Sequence, residues 1–249
     1  MKPFQFKQFT VHQDRCAMKI GTDGVLLGAW TALKNETAKI LDIGSGTGII
    51  SLMLAQRSQA EEIDALEIDE NAYEQCVENF EASPWSDRLF CYHAGFKEFY
   101  DEIEDPYDLI VSNPPFFSPM SNIEPSTSSD SNDHQKVDLG RKRARIRETL
   151  SFETLLFGVS KLLTKDGRFS TIVPFVEEKQ FIALAKRCKL YPQRRTWVRG
   201  NASTKIKRSL LEFGRFDGQV QTDELTIEIK RHLYTPEYIG LTKDFYLKM

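Results

Sequence analysis

With four cysteines and four histidines in 249 residues, the chain has little material for disulfide or metal chemistry. Cys16, Cys76, Cys91 and Cys188 show no C-x-x-C spacing, so no disulfide framework or zinc site is expected. His12, His93, His134 and His232 lack metal-ligand spacing with one another or with the cysteines, and no metal is predicted. Long apolar runs are missing too. The longest uncharged stretches, 43–56 and 109–123, are broken by glycine or proline and fall short of the roughly 20 apolar residues a bilayer span needs. No apolar h-region follows Met1-Lys2-Pro3-Phe4, so a cytosolic protein without an export signal is expected. A Gly-x-Ser-x-Gly elbow is absent, as is a lysine placed after a glycine loop to hold nucleoside triphosphate.

Acid is missing from one region as well. From Lys179 to Leu211 there are ten Lys or Arg and no Asp or Glu, although the whole chain carries a net charge of −3. Residues 1–120 hold 9 basic against 20 acidic residues, and 121–249 hold 24 against 16, a split that bears on partners rather than on fold. A second basic cluster, Arg141-Lys142-Arg143-Ala144-Arg145-Ile146-Arg147, follows a Ser-rich run. On composition alone such runs read equally as solvated surface.

The elements alternate. Lys39–Ile43 reads as a strand, Ile49–Arg57 as a helix and Ile63–Glu67 as a second strand. Glu70–Glu81 carries Ala72, Tyr73, Cys76, Val77 and Phe80 on one helical stripe. Leu89–Tyr92 and Asp108–Ser112 are strands, Phe152–Leu163 a helix, Arg168–Val173 a strand and Glu177–Lys189 a helix. This alternation predicts a doubly wound, mostly parallel α/β sheet. The last strands, at 195–198, 209–216 and 225–229, have few helices between them and suit an antiparallel C-terminal edge. Residues 118–149 have a composition that cannot bury apolar area, and are expected to be a mobile loop over the active site.

Three motifs carry chemistry. Leu41-Asp42-Ile43-Gly44-Ser45-Gly46-Thr47-Gly48 joins strand to helix, where glycines let backbone N–H groups approach a ligand. Position 49 is Ile, so the dinucleotide fingerprint fails on spacing and Asp-x-Gly-x-Gly-x-Gly remains. Glu67, nineteen residues after Gly48 at a strand end, suits a vicinal diol, with Asp69 as the competing acid. Asp108-Leu109-Ile110-Val111-Ser112-Asn113-Pro114-Pro115-Phe116 ends a strand on two prolines, which fix the departing loop. Near the N-terminus, Lys19-Ile20-Gly21-Thr22-Asp23-Gly24 is a turn feeding an apolar helix, with Thr22 or Asp23 as N-cap.

The glycine turn resembles motif I of class I S-adenosylmethionine-dependent methyltransferases. Asn-Pro-Pro-Phe resembles motif IV of those that modify planar amines. The 18–30 segment, the opening Phe4-Gln5-Phe6-Lys7-Gln8-Phe9 and the ending 241–248 extend the likeness over nearly the whole chain. It is similar to the bacterial tRNA1(Val) (adenine(37)-N6)-methyltransferase family.

That resemblance implies a single domain over 1–249 on a seven-stranded, Rossmann-like methyltransferase sheet. It has a cofactor-covering segment at 1–38, a cofactor-binding half at 39–117, the substrate loop and a C-terminal half at 150–249 with a basic, RNA-facing surface. Lys19, Thr22, Asp23, Asp42, Gly44, Gly46, Gly48, Glu67 and Asn113 are implied to hold S-adenosylmethionine. An acid after the third strand, common in this class, is absent at Ala94-Gly95-Phe96, so Phe96 packing with backbone hydrogen bonds is expected at the cofactor's adenine. Asn113, Pro114, Pro115 and Phe116 are implied to orient and stack the adenine beside the anticodon of valine tRNA. Arg141, Lys142, Arg143, Arg145, Arg147, Arg194, Arg195, Arg199, Lys205, Lys207 and Arg208 are expected on phosphates. The alternatives are the same chemistry on a release-factor glutamine amide or a ribosomal RNA guanine-N2, and a cofactor-binding RNA-binding protein without catalysis.

Overall fold

The computed structural model describes residues 2–115 and 150–248. Phe116, the loop 118–149 and the cluster Arg141, Lys142, Arg143, Arg145 and Arg147 lie outside the described residues. Strands β1 (Phe4–Gln5) and β2 (Thr10–Val11) form a small hairpin, followed by α1 (Thr22–Trp30). The sheet is then built by β3 (Lys39–Ile43), β4 (Glu62–Glu67), β5 (Leu89–His93), β6 (Tyr107–Ser112) and β7 (Leu163–Pro174). It continues through β8 (Tyr191–Asn201), β9 (Arg208–Gly214), β10 (Gln221–Lys230) and β11 (Leu233–Tyr234). The helices between them are α2 (Ile49–Arg57), α3 (Glu70–Glu81), α4 (Phe96–Glu102), α5 (Phe152–Leu162), α6 (Glu178–Arg187) and α7 (Pro236–Thr242).

Among the described residues nine strands of one sheet lie in the order β11-β10-β8-β9-β7-β6-β3-β4-β5. The expected seven-stranded sheet is present as β5 through β8, and β10 and β11 extend it. From β5 to β7 every pairing is parallel, and β9 is antiparallel to both β7 and β8. β10 runs parallel to β8, a departure from a wholly antiparallel edge. The chain reverses after β9, and the only neighbour left at the free edge, β8, already runs in that new direction.

The alternation of side chains along the strands divides the core in two. Ile40, Leu109 and Val111 pack with α1, α2 and the N-terminal hairpin on one face. Leu41, Ile43 and Ile110 pack with α4, α5 and α6 on the other. Close approach of α1 to α2 depends on Gly28, where an added Cβ would sit 2.8 Å from the Met53 sulfur. No helix among the described residues is long and apolar enough to cross a membrane.

The boundaries of α2 and α3 match the periodicity, whereas β7 and β8 run longer than their apolar centres. The short helices α4 and α7 have no apolar run long enough to announce them. At α1 the N-cap is Gly21, with no side-chain cap, in place of Thr22 or Asp23. The Asp23 carboxylate instead accepts from Arg208 Nε at 2.8 Å, an ion pair to β9 that draws it away from the helix end.

Candidate active site

The three motifs meet because β3 lies between β4 and β6. Ile43 at the end of β3 is in register with Leu66 on one side and Ser112 on the other. Glu67 and Asn113, each one residue further on, therefore flank Gly44 at the C-terminal edge of the sheet. This is the crevice where the strand order reverses, the ligand site of open α/β sheets.

The glycine turn is left-handed three times, with φ of +74° at Gly44, +55° at Gly46 and +77° at Gly48. Gly44 and Ser45 donate their N–H groups to the Leu66 carbonyl, both at 2.9 Å. A Cβ added at Gly44 or Gly46 would meet nothing within 4 Å, so these two residues keep the space above the turn open. At Gly48 it would lie 2.5 Å from Phe80 and 2.8 Å from the Cys76 sulfur, so this glycine serves the packing of the turn on α3.

Glu67 is held by backbone. One carboxylate oxygen accepts from Gly46 N at 2.8 Å, the other from Ile68 N at 2.8 Å and Asp69 N at 2.9 Å. Burial raises its pKa, and the backbone donors offset part of that rise. Asp69 caps α3 through Ala72 N at 3.1 Å, which leaves Glu67 as the acid at the crevice. Asp42 lies beneath the turn, fully buried, with one oxygen accepting from Ser51 Oγ at 2.7 Å. Its other oxygen has no hydrogen-bond partner among the described residues. Desolvation pushes Asp42 up to about 7.

Ser112 Oγ donates to the Ile43 carbonyl at 2.9 Å and pins β6 to β3 immediately before Asn113. Asn113 is half-buried, Pro114 buried and Pro115 half-buried. Among the described residues no group hydrogen-bonds the Asn113 carboxamide.

Two expected cofactor contacts are engaged within the protein. Phe96 is a core residue 5% exposed, its ring edge-on to Tyr100 at 5.2 Å and close against Gly158, where a Cβ would meet it at 2.4 Å. It opens α4, whose apolar face packs on α5, so the ring is already committed. Lys19 donates its ammonium to the Gln13 and Cys16 carbonyls at 2.6 and 2.8 Å and closes a loop of its own segment. Thr22 stands exposed at the start of α1.

The basic residues divide as well. Arg194 pairs with Glu212 at 3.3 Å and lies over the Trp30 ring at 3.7 Å. Arg195 pairs with Glu178 at 3.2 Å, Arg199 with Glu224, and Arg208 with Asp23. Lys205 and Lys207 are exposed on the connection between β8 and β9.

Two supporting residues escaped the sequence reading. Ser51 anchors Asp42. Asn79 accepts from His12 N at 2.8 Å and donates to the His12 and Thr47 carbonyls, both at 2.9 Å, tying the N-terminal hairpin to the glycine turn. Gln75 and Asn79, four apart on α3, are polar yet each 1% exposed, a burial that the packing of the helix reveals.

The open space above Gly44 and Gly46, the Glu67 carboxylate at the crevice and the unpartnered oxygen of Asp42 fit S-adenosylmethionine, and with the strand order they define a class I methyltransferase. Residues 21–127 match the Methyltransferase small domain family. A predicted O-methyltransferase from Agrobacterium tumefaciens superimposes with a TM-score of 0.67 at 16% identity, covering 90% of this chain and 96% of that one. A ribosomal protein L11 methylase from Lactobacillus delbrueckii shares the fold at a TM-score of 0.51 and 13% identity, over 77% of this chain and 76% of that one.

The relatives in sequence are closer. The tRNA1(Val) (adenine(37)-N6)-methyltransferase of Flavobacterium johnsoniae is 56% identical over 99% of this chain and 100% of its own length. Its namesake from Bacteroides fragilis is 44% identical over 99% and 98%. The chain belongs to the tRNA1(Val) (adenine(37)-N6)-methyltransferase family.

Proposed function

We propose that this protein transfers methyl from S-adenosylmethionine to the N6 amine of the adenine beside the anticodon, position 37, of valine tRNA. The register that sets Glu67 and Asn113 on either side of Gly44 carries this reading, because it brings a cofactor cradle and an amide acceptor to one crevice.

An exocyclic amine is a poor nucleophile, its lone pair being delocalised into the ring, so orientation is the main demand on the protein. The Asn113 side-chain oxygen and the Pro114 carbonyl accept the two N–H bonds of the amine and aim its nitrogen. Pro114 and Pro115 fix the loop, and Phe116, which the motif assigns to the base, completes the stack. When bound, S-adenosylmethionine supplies an electrophilic methyl on a sulfonium. Glu67 holds the ribose diol, Gly44 and Gly46 admit the methionine part, and Asp42 faces its ammonium through the turn. Lys205 and Lys207, with the Arg141–Arg147 cluster, meet phosphates around the target. Such a substrate sets the work in the cytoplasm. An adenine in a loop is already partly unpaired, so extruding it costs only a few kcal/mol.

The test is transfer of labelled methyl into an unmodified valine tRNA transcript, followed by nucleoside mass spectrometry. N6-methyladenosine is expected, and is lost when the adenine beside the anticodon is replaced. Label only in ribosomal RNA or in a release factor would overturn the substrate.

A further inference from the structure

The strand beside β6 ends in an apolar surface that the amine-orienting groups do not use. Thr171 of β7 is in register with Ser112, so β7 runs on past Asn113 and delivers the 3-10 turn Phe175–Glu177 to the same edge of the sheet. On that turn Phe175 is 38% and Val176 78% exposed. The mount is stiff. Phe175 N donates to the Lys207 carbonyl at 3.0 Å, and its ring stands edge-on to Trp197 at 6.0 Å.

Behind the turn, the buried Glu178 accepts from Trp197 Nε1 at 2.8 Å, from Arg195 Nη1 at 3.2 Å and from Ser209 Oγ, so its charge is met within the protein. The half-buried Glu177 is the other acid on this turn. Pro174 is in register with Arg208, which places the exposed Lys205 and Lys207 beside the apolar pair. A ring and an isopropyl group presented to solvent beside lysines is the pattern of single-stranded nucleic acid grooves, where bases stack and cations follow the backbone. Adjacent strands are about 4.8 Å apart and each residue rises about 3.3 Å, so Phe175, three residues beyond the level of Asn113, lies on the order of 11 Å from the crevice, within reach of a flanking nucleotide of an extended strand.

We propose that Phe175 and Val176 form the subsite for the base of a nucleotide flanking the methylated adenine, with Lys207 at its phosphate and Lys205 further along the same backbone. This rests on reading the chain as an RNA adenine methyltransferase. Stacking makes the subsite tolerant of base identity and sensitive to loss of the ring.

The experiment is steady-state kinetics of the full chain on the valine tRNA anticodon stem-loop, for wild type, Phe175→Ala, Phe175→Tyr and Val176→Ser. Phe175→Ala is expected to raise KM for RNA about tenfold, and Phe175→Tyr to restore it. KM for S-adenosylmethionine is expected to stay constant in all four proteins. Val176→Ser, at a site too exposed to affect folding, is expected to raise the RNA KM severalfold. An RNA KM unchanged in both Phe175→Ala and Val176→Ser overturns the subsite, as does an equal rise in both KM values. A wild-type chain that leaves the stem-loop and the full tRNA unmethylated overturns the functional reading and the subsite together, a result distinct from failure of the variants alone.

Discussion

The Glu67 carboxylate accepts the Gly46 N–H at 2.8 Å, so this acid and the glycine turn hold each other in place. Its other oxygen takes two further N–H groups. A glutamine there keeps the shape but turns one acceptor into a donor that faces these N–H groups. Glu67→Gln is expected to weaken S-adenosylhomocysteine binding about tenfold to a hundredfold, read by calorimetry. An unchanged Kd would remove Glu67 from the cofactor site.

The glycines separate by role. Gly44→Ala and Gly46→Ala meet open space and carry only the left-handed strain of about 1–2 kcal/mol each. They are expected to abolish cofactor binding with a modest loss in Tm. Gly48→Ala adds a clash with Phe80 and Cys76 to that strain and is expected to cost about 2–5 kcal/mol by chemical denaturation. Equal Tm losses for all three would refute the division.

Asn113→Ala removes an acceptor of the amine and leaves the strand end pinned by Ser112. Methyl transfer is expected to fall at least about a hundredfold, while tRNA binding in a filter assay persists. Activity equal to wild type would sink the orienting mechanism.

Stability should decline toward neutral pH. Asp42 is pushed up to about 7 and Asp64 to about 6, both chiefly by burial. Between the ordinary carboxylate range and these values the folded chain binds more protons than the unfolded one. The stabilisation is therefore full at the acidic end and lost as pH rises through the native pKa. Scanning calorimetry of the ligand-free protein is expected to show Tm falling between about pH 5 and 7.5, less steeply in Asp42→Asn. A slope identical in the variant would contradict the burial argument.

Lysine and arginine on the basic stretch should answer different assays. Lys205→Glu with Lys207→Glu is expected to weaken tRNA binding and to flatten the dependence of log K on log salt by about two contacts. Arg194→Ala breaks its pairing with Glu212 and its stacking on Trp30, and is expected to lower Tm while leaving the salt slope unchanged. The opposite assignment would follow if the arginine, and not the lysines, set the slope.

What the sequence made legible follows from how local each signal is. The turn after β3, the acid ending β4 and the Asn-Pro-Pro ending β6 are each written in a few consecutive residues. Their meeting at Gly44 follows from the parallel strand order. Partners far apart along the chain were not legible. Arg208 looked like a phosphate ligand because it lies near the end of the acid-free stretch Lys179–Leu211, yet Asp23, 185 residues away, pairs with it. Phe96 looked available because it follows a strand, but the space it fills is set by Gly158 on a different helix. Asn79 was not legible either, because it lies off the stripe of Ala72, Tyr73, Cys76, Val77 and Phe80 and is buried only by the packing of the N-terminal hairpin and the glycine turn on α3.

The parallel seam between β8 and β10, with β9 and β7 between it and β6, makes the sheet itself a measuring rod. Three strand spacings, about 14 Å, separate β6 from β8, and hydrogen-bonded ladders fix that length. The two ends of that span belong to one hydrogen-bonded sheet. Under the proposed function, Lys205 and Lys207 on the connection between β8 and β9 stand at a set distance from Asn113, and an RNA whose backbone cannot reach both at once is expected to bind without being methylated.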